Sequence, residues 1–144
     1  MKKIYLASPF FSNDELVCYR WVITQLRGVG YEVYVPQEHE IENAWELSNE
    51  DWARAVYLAD IKALREADVV MVLNFGMYSD SGTAWEAGYA YGLDKEVVHI
   101  LCGGENATYS LMMINGNDRV VDYRVLPYWE DNAAHADMNK IIQK

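Results

Sequence analysis

The chain has 144 residues, room for one domain with a sizeable core, and 51% of them are hydrophobic, which excludes a disordered protein. A formal net charge of −10 argues against a nucleic-acid backbone or an anionic membrane surface as partner, while leaving a small nucleoside or nucleotide open as ligand. No apolar run reaches the roughly 18 residues of a membrane span. The opening "MKKIYLASPFF" has a short apolar run broken by Pro9 and reads as a first strand rather than a leader.

In chain order, "KIYLA" (3–7) predicts a strand. Residues 12–30 predict a helix, because Ser12 and Glu15 match a capping box and Gly28 or Gly30 can end it. "YEVYVP" (31–36) alternates, is rich in aromatic and β-branched residues, and reads as a strand stopped by Pro36. An acidic, His-containing loop (37–47) leads to a helix over 48–67. "DVVMVLN" (68–74) is the near-continuous apolar run of a buried parallel strand. A helix over about 83–93 follows, then a strand at 96–102, a helical segment near 106–113, a last strand at 118–123 and a terminal helix over 132–143.

This alternation implies right-handed βαβ crossovers and a five-stranded parallel sheet covered on both faces, in a single domain over 1–144. Such folds bind ligands outside the carboxyl ends of the strands, near the point where strand order reverses. Four segments therefore meet at one rim: residues 8–12, the loop from Gln37, residues 74–83, and the loop from Gly103.

Cys18 and Cys102 are far apart and lack metal spacing, which predicts two buried thiols in a reducing cytoplasm. His39, His99 and His135 form no ligand cluster, so neither a metal nor another cofactor is expected.

The chemistry points to carboxylates. Thr83-x-x-Glu86 fits a capping box, in which the glutamate only returns to the N-cap amide, and Asp80 fits a turn or cap. Against that reading, Gly82, Thr83, Tyr89 and Ala90 surround Glu86 at helical spacing, supply no cation and leave room for a ligand. A helix N-terminus on the rim also favours an ionised carboxylate, the state needed for attack on an anomeric carbon. Asp60 has Val56, Tyr57, Ala63 and Leu64 as helical neighbours, and a lone aspartate on such a surface costs free energy unless paired or used. Tyr5 is either strand packing or a group that orients Glu86. Ser8 lies on the rim, and Phe10, Phe11 and Trp45 are candidates to stack on a planar base.

At these residues the sequence resembles the nucleoside 2-deoxyribosyltransferase family. "IYLASPFF" resembles its first strand and loop, "YLADIKALREADVVMVL" its Asp-bearing helix and third strand, "DSGTAWEAGYA" its D-x-G-x-x-x-E-x-G-x motif, and "SLMM" its N-L-M segment, in order over residues 3 to 123. The resemblance implies a flavodoxin-like three-layer sandwich and exchange of bases between 2′-deoxynucleosides and free nucleobases, as in nucleoside salvage. It implies Glu86 as nucleophile, Tyr5 as its holder, Asp60 acting at the base, and Asp80 at the sugar hydroxyls; Ser8, Phe10 and Gly82, placed at the rim by the residues themselves, join them as substrate-binding candidates. It also implies a homo-oligomer, dimer or hexamer, with shared active sites. Ser110 stands where the family has an asparagine that reaches a neighbouring subunit's site to bind the 5′-hydroxyl. Related nucleoside 5′-monophosphate N-glycosidases place serines there to bind phosphate, but they replace the aspartate at position 80, which this chain retains. A carboxylate beside the 5′-oxygen repels phosphate, so an unphosphorylated nucleoside is favoured. The family's C-terminal carboxylate has no counterpart in "NKIIQK".

Three other readings stay open: a 2′-deoxynucleoside 5′-monophosphate hydrolase on the same fold, a phosphoribohydrolase-type G-T-x-x-E match in "GTAWE" without a glycine run upstream, and a non-catalytic nucleotide-binding module in which Glu86 caps a helix.

Overall fold

The computed structural model describes residues 2–144. Five strands, β1 (Lys3–Ala7), β2 (Glu32–Tyr34), β3 (Val69–Asn74), β4 (Glu96–Leu101) and β5 (Arg119–Asp122), form one parallel sheet in the order β2-β1-β3-β4-β5. The order reverses between β1 and β3, which makes their carboxyl ends the switch point of this flavodoxin-like α/β arrangement.

Side-chain alternation along each strand sorts the core into two layers. Ile4, Leu6, Met71, Leu73, Val98 and Ile100 pack against Cys18, Tyr19, Val22 and Leu26 of helix α1 (Asn13–Gly28). Tyr5, Ala7, Val70, Val72 and Val97 face the opposite layer, made by Ile61 and Leu64 of α2 (Asn49–Glu66) and Ala87 and Ala90 of α3 (Ser81–Gly92). The capping box of α1 forms as its sequence indicates, with Ser12 accepting from the Glu15 amide and Glu15 accepting from the Ser12 amide.

Three expectations change. The segment at 106–113 is helical only as a short turn, α4 (Leu111–Asn115). Ahead of it the chain closes tightly around Gly103, whose amide donates to the Tyr109 hydroxyl at 2.9 Å. A Cβ at Gly103 would lie 2.6 Å from that hydroxyl and 2.7 Å from the Ala107 Cβ, so the loop requires glycine. The terminal helix over 132–143 reduces to a 3₁₀ turn (Asn132–Ala134) and the single turn α5 (Met138–Ile141). Aspartates cap both pieces, and between them Ala136 donates to the Val120 carbonyl beside β5. Finally, Cys18 of α1 and Cys102, just beyond β4, are not separate thiols: they form a disulfide, with Cα atoms 6.4 Å apart. Sequence separation hid this, because only the order of the strands places α1 across the end of β4. None of the described helices is long and apolar enough to cross a membrane.

Candidate active site

At the switch point, a cleft of about 830 Å³ opens between the loop after β1, the loop after β2, α2 and the N-terminal half of α3. Its walls include Ser8, Phe10, Asp60, Asp80, Gly82 and Glu86. Seven of the ten residues singled out as candidates, Phe11 among them, therefore share one cavity, and Tyr5 touches it through Glu86. The size is that of an ordinary small-ligand site.

The start of α3 rules out the capping box of Glu86 with Thr83. Asp80, not Thr83, is the N-cap, and its Oδ2 accepts from both the amide and the hydroxyl of Thr83 at 3.0 Å. Thr83 is thus the third residue of the helix, and Glu86 sits in the second turn, beyond reach of the cap amide. Freed from capping, Glu86 turns to the sheet, where its Oε2 accepts a hydrogen bond from the Tyr5 hydroxyl. Tyr5 is fully buried, because its alternation parity on β1 places it in the α2/α3 layer.

Burial pushes the Glu86 carboxyl up to about 7. The Tyr5 hydrogen bond opposes the rise, while the charges of Asp60 and Asp80 add to it. This differs from the expectation that the helix end would favour ionisation, since the second turn lies beyond the strongest part of that field. The Tyr5 hydroxyl is itself held far above its ordinary range, by burial and then by Glu86. Asp60 is also raised, by burial first, with the Tyr34 hydroxyl and His39 acting in the opposite direction.

Two candidates fall outside. Trp45 is 82% exposed and is not a wall of the cleft. Ser110 is the N-cap residue of α4 and is likewise absent from the walls. The residues after it, Leu111 to Met113, line a separate groove with Ala84, Ala87 and Gly88 of α3. Phe11 joins Phe10 on the cleft, stacked at 5.0 Å. Residue-by-residue reading missed Gln37, Trp52, Trp85 and Tyr19 as walls. Gln37, on the rim loop, was the one with a positional signal.

The fold and cleft define an α/β protein with a cluster of half-buried carboxylates at its switch point and aromatic residues among the walls. Residues 4–122 match the family model for nucleoside 2-deoxyribosyltransferase, and the chain belongs to that family of enzymes. Curated protein sequences give no significant match. Among solved structures, the 2-deoxyribosyltransferase of the psychrotolerant bacterium Bacillus psychrosaccharolyticus is similar over 99% of this chain and 97% of that one, with 29% identity and a TM-score of 0.74. A conserved protein from Enterococcus faecalis V583 shares the fold at 24% identity, over 85% of this chain and 91% of that one, with a TM-score of 0.67. The CMP N-glycosidase of Clostridium botulinum shares it at 21% identity, over 85% and 88%, with a TM-score of 0.57.

Proposed function

We propose that this protein transfers the 2-deoxyribosyl group between purine or pyrimidine bases of 2′-deoxynucleosides, through a covalent ester on Glu86. The observation that carries the reading is a half-buried glutamate, free of capping duty, held by the Tyr5 hydroxyl in a cleft it shares with Asp60. Family membership and the likeness to the Bacillus psychrosaccharolyticus enzyme support transfer as the reaction.

In the first half-reaction the N-glycosidic bond breaks as positive charge builds at C1′. Protonated Asp60 gives its proton to the departing base, and the Glu86 carboxylate bonds to C1′. The raised Asp60 suits a proton donor. A Glu86 carboxyl near 7 is partly ionised around neutrality and is stabilised in that form by Tyr5. In the second half-reaction an incoming base attacks C1′, its N–H proton passes to Asp60, and Glu86 leaves as carboxylate. Transfer outruns hydrolysis when the second base occupies the aromatic wall and excludes water. Asp80 caps α3 through Oδ2, and its other oxygen serves a sugar hydroxyl in this reading. Ser110 lies outside its own chain's cleft, so a role at the 5′-end requires a neighbouring copy; a homo-oligomer with shared sites is part of the proposal.

The test is incubation with 2′-deoxyinosine or thymidine plus adenine, and separately with the matching 5′-monophosphates, followed by chromatography, with Glu86→Ala in parallel. Deoxyadenosine formed by the parent and absent with a folded Glu86→Ala is the expected result. Free base released only from the monophosphates assigns hydrolysis instead. Turnover that survives in Glu86→Ala removes Glu86 from the chemistry.

A further inference from the structure

Tyr5 and Tyr34 are register partners on neighbouring parallel strands, so their side chains leave the sheet side by side on one face. Their rings stack, with centroids 5.5 Å apart and planes 15° from parallel. Each hydroxyl donates to a different cleft carboxylate: Tyr5 to Glu86 Oε2, and Tyr34 to Asp60 Oδ1 at 3.4 Å. The Tyr34 ring also carries the His39 imidazole, stacked at 4.1 Å and 8°. Two ring contacts thus fix where the Tyr34 hydroxyl points, and the strand pairing links the positions of the two carboxylates.

We propose that Tyr34 is a positioning residue for Asp60, holding Oδ1 so that the transferable proton resides on the other oxygen, Oδ2, and faces the base. The inference rests on the transfer reading above and deepens it. A carboxylic acid bears one proton, and a hydroxyl donating to Oδ1 leaves Oδ2 as the site for it. When that proton moves to the leaving base, the charge left behind spreads over both oxygens, and the Tyr34 O–H already points at one of them. The same donor therefore favours the ionised product of the step. At 3.4 Å the contact is longer than an ideal O–H···O bond, and it tightens as Asp60 gains charge, because hydrogen bonds to ionised acceptors are shorter. Burial and then Asp60 push the Tyr34 hydroxyl up to about 12, so it stays a donor throughout the working range. His39 stacks on the ring from the loop after β2, and its charge also lowers the Asp60 carboxyl.

Tyr34→Phe keeps the ring and its stacking and removes only the donor. It is assayed with two donors that differ in their need for an acid. 2′-Deoxyguanosine needs its base protonated as it leaves. 7-Methyl-2′-deoxyguanosine already carries a cationic base and leaves without a proton from Asp60. The expected result is a loss of about tenfold in kcat/KM with the first and no more than about twofold with the second, the scale of one hydrogen bond to a charged group. In an Asp60→Asn background, Tyr34→Phe should cost nothing further. Equal losses on both donors, or no loss on either, in a variant whose thermal melt matches the parent's, would overturn the inference while leaving the transfer reading intact. A parent that turns over neither these donors nor thymidine overturns that reading and the inference with it.

Discussion

In the proposed transfer Glu86 has to be charged to attack carbon, yet it sits where burial disfavours charge, and the conflict has a measurable sign. Its folded pKa is raised from 4.5 to about 7, so between those values the native state binds a proton that the unfolded chain has released. Stability contributed by this group therefore falls as pH rises through that window, and is fully restored below about 4.5. Glu86→Gln removes the charge and should stabilise the protein at pH 8, on the order of 2–3 kcal/mol, with the gain vanishing near pH 4. Paired melts at the two pH values check it; a Glu86→Gln variant less stable than its parent at pH 8 would contradict the assigned burial. For the proposed attack by Glu86 the sign is reversed, and kcat/KM should drop about tenfold per pH unit below 7 as that carboxylate is protonated. The sequence exposed this residue only in part. Small, uncharged neighbours around Glu86 were visible, but so was a false capping box with Thr83, and local spacing cannot choose between them. The partner that resolves it, Tyr5, is 81 residues away. Tyr34 was invisible as a site residue for a related reason: neighbours across parallel strands are unknown until strand order is known.

Helix α3 owes its start to Asp80, whose carboxylate satisfies the Thr83 amide and hydroxyl together. Asparagine caps as well as aspartate does, and alanine does not. Asp80→Asn should therefore melt close to the parent, whereas Asp80→Ala should lose about 1 kcal/mol in denaturant titrations. If the second oxygen also serves a sugar hydroxyl, both variants will raise the KM for donor nucleosides, and only the alanine variant will also lose stability. Equal stability of all three proteins would show that the cap contributes nothing. Elements with a strong local signature were legible to within a few residues: the capping box at Ser12 and Glu15, the apolar run of β3, the stop at Pro36. The weakly patterned ends were not. Residues 106–113 and 132–143 contain helix formers, but tertiary contacts decide their shape, through the closed loop at Gly103 and the contact of Ala136 with β5.

The molecule as a whole is tied across one of its layers by a bond that no local pattern announces. Cys18 lies in the core layer beneath α1, and Cys102 follows the strand that ends beside the rim, so their disulfide closes a loop with a sequence separation of 84. Loop closure of that length restricts the unfolded chain by an amount worth about 4 kcal/mol. In a protein of this size, that corresponds to a melting shift of roughly 10 °C. Protein purified without reductant and unfolded in denaturant should show no titratable thiol, and after reduction it should show both. The reduced form should melt lower by that margin, and Cys18→Ser should melt with the reduced parent whether or not reductant is added. Because α1 leads out of the loop bearing Phe10 and Phe11, relaxing this tie also frees one wall of the cleft from the end of β4. KM for donors should then rise on reduction in the parent and stay constant in Cys18→Ser. Two free thiols in unreduced protein would instead return the pair to ordinary core cysteines, and the stability of the α1 layer would rest on Val22, Leu26 and their neighbours alone.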